Sequence, residues 1–304
     1  MKKISICVPV LNEEENIENV YNKILELFTN LLINYDYELI FTDNHSTDAT
    51  EKKILSICNI DKKVKYIRFQ TNLHYDKSIL EGYKHSTGDA AVVIDSDLQD
   101  PPELIKELIE KWEQGYDLVY GIRTKRLEGM IISKVRNIYY KIINLNSSIS
   151  YPLDAGGFRL IDRSIINKVL NIKNLYPYVR GITFSLSKKS TGIEYHRNAR
   201  SKGQSKLGIY NTITYALNAL FEETVLFSKI FRRLSIVFTF LFCVFTFFNL
   251  IFSFKFLTIF FNIILLILIL SFLVISLMLE YLTRIYFHLK QNNEIEIYEK
   301  KINL

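Results

Sequence analysis

Apolar and polar residues alternate along the first 230 positions so that short apolar runs are separated by longer amphipathic segments. Runs rich in valine and isoleucine predict strands at Ile4–Val10, Tyr37–Thr42, Val64–Phe69, Ala90–Ile94 and Leu118–Ile122. Apolar residues at helical spacing predict helices at Glu13–Thr29, from Ser46 or Thr47 to about Ile57, at Asp76–His85 and at Glu103–Gln114. This alternation of strand and helix predicts an α/β domain with a mostly parallel sheet and helices on both faces.

The chain becomes strongly apolar after residue 230. Two stretches, from about Leu234 to Phe254 and from about Phe256 to Leu279, are each roughly 20 residues long, enough to cross a bilayer core. Lys255 is the only charged residue within or between them. We predict a hairpin of two transmembrane helices. Arginines and lysines flank both of its outer ends, which favours the cytoplasmic side for these ends and for the preceding domain.

Composition excludes several other classes of protein. The three cysteines (Cys7, Cys58 and Cys243) are far apart and show no metal-ligand spacing, which suits a reducing compartment. No Gly-x-Gly-x-x-Gly follows the first strand and no phosphate-binding Gly-Lys-Ser/Thr loop occurs, which disfavours dinucleotide oxidoreductases and P-loop hydrolases. The net charge of +6 suits phosphates or anionic lipid headgroups. Nucleic acid is not an expected partner, because no basic helix or aromatic stacking motif stands out.

Polar residues stand where several predicted strands end. Asp43, Asp95 and Arg123 lie at or just after the carboxyl ends of three strands, the edge at which such sheets bind ligands. Asp95 and Asp97 form an Asp-x-Asp pair of oxygen ligands, and Mg²⁺ commonly takes one or two carboxylates together with substrate phosphates. Aspartates are also common in turns and helix caps, so from these residues alone a capped turn remains an equal alternative.

Four motifs in a fixed order make the prediction more specific. They are Pro9-Val10-Leu11-Asn12-Glu13-Glu14, Asp43-Asn44-His45-Ser46-Thr47-Asp48, Asp95-Ser96-Asp97-Leu98-Gln99-Asp100-Pro101-Pro102-Glu103 and Gly156-Gly157-Phe158-Arg159-Leu160. With the apolar hairpin and the tail from Glu280 to Tyr286, this set resembles the family-2 inverting glycosyltransferases of the GT-A fold, a Rossmann-like fold. The resemblance is greatest to the enzymes that glycosylate polyprenyl phosphates, such as bactoprenol glucosyltransferase and dolichol-phosphate mannose synthase.

The resemblance implies a nucleotide-sugar donor, a polyprenyl phosphate acceptor and Mg²⁺ or Mn²⁺ as cofactor. It assigns donor binding to Pro9, Glu13, Asp43, Asn44 and Asp95, and the metal to Asp95, Asp97 and Gln99. It assigns the acceptor phosphate to Arg123, Arg136 and Arg159, and catalysis to Asp97, Arg123, Arg200 and Lys206. The last two belong to an Arg197–Lys206 segment similar to a mobile segment of the family that closes over the donor.

Together these features predict an enzyme of the bacterial cytoplasmic membrane. It would transfer a hexose, from a UDP-linked donor, to undecaprenyl phosphate with inversion at the anomeric carbon. The expected organisation is a transferase domain at 1–208, a juxtamembrane amphipathic helix at 209–230, two transmembrane helices at 231–281 and a cytoplasmic tail at 282–304. Membrane lipid is an expected partner, and self-association is left open.

Departures from the family pattern leave alternatives open. Asn44-His45 replaces the usual Asp-Gly, Thr71–Asp76 replaces Arg-Asn-Phe-Gly-Lys-Glu, and Gly157 replaces the aspartate of Gly-Asp-Phe-Arg. The identity of the sugar and the nucleotide therefore stays open. Transfer to a saccharide acceptor and a non-catalytic membrane scaffold with the same fold remain as alternatives.

Overall fold

The structure is a computed structural model of the 304-residue chain. It describes residues 1–124, 155–172 and 178–198, some helical positions between 260 and 285, and a strand at 297–302. The chain forms two compact units, one comprising Met1–Ala216 with Ile295–Leu304 and the other comprising Leu217–Glu294.

The first unit is built on an eight-stranded mixed sheet with the order β7-β5-β6-β4-β1-β2-β3-β8. The strands are β1 (Lys3–Val10), β2 (Asp36–Asp43), β3 (Val64–Phe69), β4 (Ala90–Val93), β5 (Leu118–Arg123), β6 (Ala155–Asp162), β7 (Ser190–Tyr195) and β8 (Ile297–Ile302). Four of the seven pairings are parallel: β1 with β2, β1 with β4, β2 with β3, and β5 with β7. The α/β prediction is confirmed.

Helices connect the strands within the described ranges. They are α1 (Ile17–Asn30), α2 (Thr50–Ile60), α3 (Tyr75–His85), α4 (Ile105–Glu113), which follows a 3₁₀ turn at Pro102–Leu104, α5 (Arg163–Leu170) and α6 (Val179–Leu186). Helices α1, α2 and α4 pack on one face of the sheet, and α3, α5 and α6 pack on the other. Helices therefore cover both faces, as predicted.

Strand β1 shows why the sheet needs two helical layers. Its even-numbered residues Ile4 and Ile6 are fully buried in the apolar core with α1. Cys7 points to the opposite face, where α3 comes so close that a Cβ added to Gly82 would lie 3.1 Å from the Cβ of Cys7. Strands buried on both faces read as continuous apolar runs, which is why the sequence pattern located them well.

The starts of α1 and α2 differ most from the predicted ones. Helix α1 begins at Ile17 and not at Glu13, and α2 begins at Thr50 and not just after Ser46 or Thr47. The loops before the two helices bind each other instead of extending them. The backbone N–H of Glu13 donates to Oγ1 of Thr50 at 2.8 Å, and that of Asn12 donates to Oγ of Ser46 at 2.8 Å.

Three strands, β6, β7 and β8, were not predicted by the apolar pattern. Strand β6 lies between β4 and β5 and is antiparallel to both, so it carries the Gly156–Leu160 motif into the middle of the sheet. Strand β8 pairs antiparallel with β3, within the 282–304 segment that was expected to be a tail. The sheet is therefore more mixed than a mostly parallel pattern implies.

The two apolar stretches lie mainly outside the described residues. Within the positions described, the structure contains no helix that combines the length and the apolar character needed to cross a membrane. The hairpin at 231–281 and the helix at 209–230 therefore stay predictions.

Candidate active site

The candidate site lies at the carboxyl ends of β1, β2, β4 and β5. Asp43 is the last residue of β2, Arg123 is the last residue of β5, and Asp95 follows β4 by two positions. Because these strands run in one direction, their ends meet at one edge of the sheet, which we call the rim. The sequence-based prediction that these side chains share one edge is confirmed.

The loops after β1 and β2 are locked together at the rim. Oδ1 of Asn12 accepts hydrogen bonds from the N–H of Thr47 at 2.7 Å and from its hydroxyl at 3.3 Å. Asn12 has a left-handed φ of 52°, which asparagine tolerates better than most residues. Pro9 lies in β1 and pairs with Thr42 of β2. These hydrogen bonds hold the two loops in a fixed position at the β1–β2 side of the rim.

Asp43 is completely buried and its carboxylate is already well bound. Oδ1 accepts from the N–H of Ser46 at 2.8 Å, and Oδ2 accepts from the hydroxyl of Tyr66 at 2.7 Å. The guanidinium of Arg68 lies 3.7 Å from Oδ2. These contacts fix the turn after β2, so Asp43 at least shapes the predicted donor-binding loop.

Asn44 and Glu13, also predicted to bind the donor, bind neighbouring loop residues. Oδ1 of Asn44 accepts from the N–H of Leu73 at 3.0 Å, which ties the turn after β2 to the loop before α3. Oε2 of Glu13 accepts from Nδ2 of Asn16 at 2.6 Å. The amide of Asn44 therefore holds the Thr71–His74 loop, the same loop in which the chain departs from the family pattern.

Asp95 lies in the centre of the rim between two donors. Oδ1 accepts from the hydroxyl of Tyr75 at 2.7 Å, and Oδ2 lies 3.6 Å from Nη2 of Arg197. Burial and the negative charge of Asp100 raise the pKa of Asp95 to about 6, against the opposing effect of the Tyr75 hydrogen bond. A carboxylate in such surroundings gains from a nearby cation.

Asp97 and Gln99 occupy the tight turn after Asp95. Asp97 is 8% exposed, and its Oδ1 accepts from the N–H of Gln99 at 3.2 Å. The side-chain amide of Gln99 donates to the carbonyl of Asn198 at 3.3 Å, and the N–H of Asn198 donates back to the carbonyl of Gln99 at 2.9 Å. Gln99, predicted as a metal ligand, thus joins the β4 loop to the segment that follows β7.

Asp100 organises the part of the rim beside β5. Its carboxylate is completely buried and accepts from Nη2 of Arg123 at 3.4 Å and from the hydroxyl of Tyr195. Nε of Arg197 donates to the same carboxylate at 3.2 Å. Although burial opposes its charge, Asp100 and Tyr195 raise the pKa of Arg123. The guanidinium of Arg123 is therefore a fixed cation at the rim.

Arg159 has a different environment from Arg123. It is 3% exposed, and its guanidinium donates to the carbonyls of Gly156 and Gly157 at 2.9 and 3.2 Å. A third donor contacts Oγ1 of Thr183 in α6 at 2.6 Å. These contacts hold β6 against α6, so the structure gives Arg159 a positioning role. Its assignment to the acceptor phosphate stays a prediction.

Three predicted residues, Arg136, Arg200 and Lys206, lie outside the described residues. Their roles at the acceptor phosphate and over the donor stay predictions. Arg197, at the start of the same predicted segment as Arg200, is described and reaches both Asp95 and Asp100. The segment therefore begins at the rim.

The rim fits a divalent cation that is shared with a substrate. Asp95 and Asp97 supply hard oxygen ligands, which suit Mg²⁺ or Mn²⁺. Among the described residues, no group of three or more His, Cys, Asp or Glu side chains could hold a metal ion. Mg²⁺ commonly takes one or two carboxylates together with substrate phosphates, so Asp95 and Asp97 suit a cation shared with a bound diphosphate.

Sequence reasoning gave no role to three residues of this site: Tyr75, Asp100 and Tyr195. Asp100 had a signal, since it is part of the quoted motif and precedes two prolines. Tyr195 lies at the end of β7, a strand that the apolar pattern did not reveal. Tyr75 reaches Asp95 across 20 positions, and nothing in the local pattern indicates that contact.

Comparison with known proteins identifies relatives of this chain. The family model described as glycosyl transferase family 2 matches residues 5–170. An uncharacterized glycosyltransferase, YkcC, from Bacillus subtilis is 36% identical over 71% of this chain and 67% of its own length. A prophage bactoprenol glucosyl transferase homolog from Escherichia coli is 34% identical over 72% of this chain and 71% of its own length.

A similar solved structure is glucosyl-3-phosphoglycerate synthase from Mycobacterium tuberculosis in complex with Mn²⁺, uridine diphosphate and phosphoglyceric acid. It has a TM-score of 0.49 and 19% sequence identity, and the match covers 72% of this chain and 78% of that one.

Proposed function

Because the chain belongs to glycosyltransferase family 2, we propose that it transfers a hexose from a UDP-linked sugar to undecaprenyl phosphate. The acceptor part of this proposal is supported by relatives named bactoprenol glucosyl transferases, which are 33–34% identical to this chain. The chemical part is supported by the rim, which carries the carboxylates of Asp95 and Asp97 and the fixed guanidinium of Arg123.

The single observation that carries the proposal is the way in which neighbouring side chains hold the guanidinium of Arg123. Its Nε and Nη2 are held by Tyr195 and Asp100, and its Nη1 has no hydrogen-bond partner among the described residues. The side chain as a whole is 16% exposed. A planar guanidinium fixed in this way suits an anionic phosphate, which it can bind without reorganising.

The proposed reaction needs positioning and charge more than acid–base chemistry. An oxygen of the acceptor phosphate attacks the anomeric carbon, the bond from that carbon to the diphosphate oxygen breaks, and UDP leaves with the electron pair. The configuration at the anomeric carbon is inverted. The acceptor is already anionic at neutral pH, so no general base has to remove a proton. Arg123 orients the acceptor, and Asp95 and Asp97 face the diphosphate end of the donor.

Asp95 and Asp97 are the residues that would hold Mg²⁺ or Mn²⁺. When bound, the cation supplies positive charge that stabilises the leaving diphosphate. The structure offers two carboxylates for this purpose, so we expect the protein alone to bind the cation weakly and together with a nucleoside diphosphate more tightly.

We also propose that the second unit anchors the protein in a membrane. Seven large apolar side chains described between 260 and 285 are 39–62% exposed, which is unfavourable in water and favourable in a hydrocarbon core. They are Phe260, Ile264, Leu266, Ile267, Met278, Leu282 and Ile285. Residues 217–294 leave the first unit and return to it at 295. A membrane segment with that connectivity crosses an even number of times, as a two-helix hairpin does.

The test uses the purified full-length protein in detergent or vesicles. Labelled UDP-, GDP- and dTDP-sugars are supplied with Mg²⁺ or Mn²⁺ and undecaprenyl phosphate, and we expect a labelled product that partitions into chloroform. Asp97→Ala should abolish the product while thermal unfolding stays cooperative. No product from any donor would contradict the proposal. A labelled product that stays in water on a saccharide would favour the alternative acceptor.

A further inference from the structure

Tyr75 connects two parts of the rim that are distant in sequence. It is the first residue of α3, and its hydroxyl donates a hydrogen bond to Oδ1 of Asp95 at 2.7 Å. The same hydroxyl lies against Gly157 of β6, where an added Cβ would be only 2.9 Å from the hydroxyl oxygen. The hydroxyl can reach Asp95 because residue 157 has no side chain.

The backbone before Tyr75 supports a specific placement of this residue. His74 has φ 67° and ψ 169°, a conformation that is rarely adopted except by glycine. One residue after Tyr75, Oδ1 of Asp76 accepts from the N–H of Val179 at 3.0 Å, which ties the first turn of α3 to α6. Tyr75 is thus held between a strained residue and an anchored one.

The two carboxylate oxygens of Asp95 have different partners. Oδ1 is engaged by Tyr75, whereas Oδ2 points towards the guanidinium of Arg197 at 3.6 Å. A carboxylate held through one oxygen presents the other in a defined direction, as groups behind metal ligands do in many sites. The contact therefore determines how Asp95 faces a cation and the diphosphate that shares it.

We propose that Tyr75 and Gly157 form a matched pair that positions Asp95 for the cation–diphosphate portion of the donor. This inference rests on the proposed function, because that function supplies the nucleoside diphosphate. Tyr75 acts through Asp95 and is a positioning residue. Gly157 contributes by leaving room for the hydroxyl, so the two residues act as one unit.

A double-mutant cycle tests the pair on the full-length protein. The affinity for UDP in the presence of Mn²⁺ is measured by calorimetry for the wild type, Tyr75→Phe, Gly157→Ala and the double variant. If a thermal-shift screen selects GDP or dTDP, that nucleotide replaces UDP. We expect Tyr75→Phe to bind about tenfold more weakly, because Asp95 loses a hydrogen bond to its charged form.

Gly157→Ala should weaken binding at least as much, because its Cβ displaces the hydroxyl. In the double variant the alanine should add nothing to the effect of Tyr75→Phe. Without the hydroxyl, the nearest ring atom of residue 75 is Cζ, which lies at an ordinary contact distance of 3.9 Å. Non-additivity is therefore the expected signature of the pair.

Tyr35→Phe is the matched control, because its hydroxyl also donates to a carboxylate, that of Glu113 at the surface, at 3.2 Å. Its affinity should equal that of the wild type. Wild-type affinity for Tyr75→Phe, or equal losses from Gly157→Ala in both backgrounds, would overturn the inference. A coupling seen only in thermal unfolding, with unchanged affinity, would also overturn it.

Failure of the proposed function gives a different result. A wild type that binds the Mn²⁺–nucleotide pair but transfers no sugar to undecaprenyl phosphate contradicts the acceptor proposal, and the binding cycle still decides the role of Tyr75. A folded wild type that binds no Mn²⁺–nucleotide pair contradicts both.

Discussion

Asp100 and Arg123 form an ion pair at the rim, with 3.4 Å between Oδ2 and Nη2. Asp100 is completely buried, and the hydroxyl of Tyr195 contacts both members of the pair. These contacts hold Nε and Nη2 of the guanidinium in place. In the proposed function, Asp100 thus acts at the acceptor phosphate through the orientation of Arg123.

Replacing Asp100 with Asn should lower kcat/KM by about 100-fold, because small misplacements of a positioning group have effects of this size. The amide group would point a donor at Arg123 and Tyr195, and the guanidinium would move. Transfer of labelled sugar to the chloroform phase measures the effect. Asp89→Asn, at the opposite end of β4, removes the same charge from an exposed residue and should leave kcat/KM unchanged. Unchanged kcat/KM in Asp100→Asn would refute the role of the ion pair.

Tyr66→Phe should lower the free energy of unfolding by about 1–3 kcal/mol. Asp43 is fully buried, and the substitution leaves its Oδ2 without the 2.7 Å hydrogen bond from the hydroxyl. Urea denaturation at neutral pH measures the change. Tyr21→Phe removes a 3.1 Å hydrogen bond to the carboxylate of Asp61 in a partly exposed place and should change stability by less than about 0.5 kcal/mol. Equal effects of the two substitutions would contradict this account.

Glu38 makes stability depend on pH in the acid range. Burial alone raises its pKa, but hydrogen bonds from Ser5 and Thr87 and the ion pair with Lys65, at 2.9 Å, lower it to about 2. Because the folded pKa lies below the unfolded value of 4.5, the stabilisation is complete above pH 4.5 and is lost as the pH falls towards 2. The shift corresponds to about 3 kcal/mol.

Glu38→Gln should therefore unfold at lower urea concentration than the wild type at pH 7, and the difference should shrink between pH 4.5 and 2. Asp36→Asn is the control on the same strand, since Asp36 pairs with Lys63 at 2.6 Å where both side chains are exposed. Its effect should stay within about 1 kcal/mol. A constant difference between Glu38→Gln and the wild type across this range would argue against the role of the buried carboxylate.

His74→Gly should stabilise the protein by about 1 kcal/mol. The exposed His74 backbone occupies a conformation that favours glycine, and relief of about 1–3 kcal/mol of strain exceeds the entropic cost of glycine. Gly115→Ala should have the opposite sign, because its φ of 86° strains an alanine even though nothing lies within 4 Å of the added Cβ. Thermal unfolding of both variants measures whether each substitution raises or lowers stability. Destabilisation by His74→Gly would show that its backbone is not strained.

Local patterns predicted the elements whose residues are buried on both faces. Strand β3 has the predicted bounds, because polar residues at 61–63 and 70–72 flank it on both sides. The start of α1 was placed too early because acidic residues at 13–15 resemble a first turn. The N–H groups of Glu13 and Glu14 instead donate to Thr50 at the start of α2 and to Asp48 just before it, long-range contacts that no local pattern contains.

The same limit applies to the candidate site. The strand ends placed Asp43, Asp95 and Arg123 at one edge correctly, since parallel strands align their carboxyl ends. The contact between Tyr75 and Gly157 depends on the absence of a side chain 82 positions away, and on β6 entering the sheet antiparallel. In the sequence, Gly157 stands where the family pattern has a carboxylate. In the structure, its lack of a side chain leaves room for the hydroxyl of Tyr75.

Strand β8 bears on how the first unit can be produced separately. A protein that stops before residue 217 would lose β8 and leave the backbone donors and acceptors of β3 open to pairing with another molecule, which promotes aggregation. Joining residue 216 to residue 295 through a flexible linker would keep this strand while removing the apolar unit. We therefore expect the solubility of a shortened protein to depend more on whether it keeps residues 295–304 than on the exact position at which the apolar unit is removed.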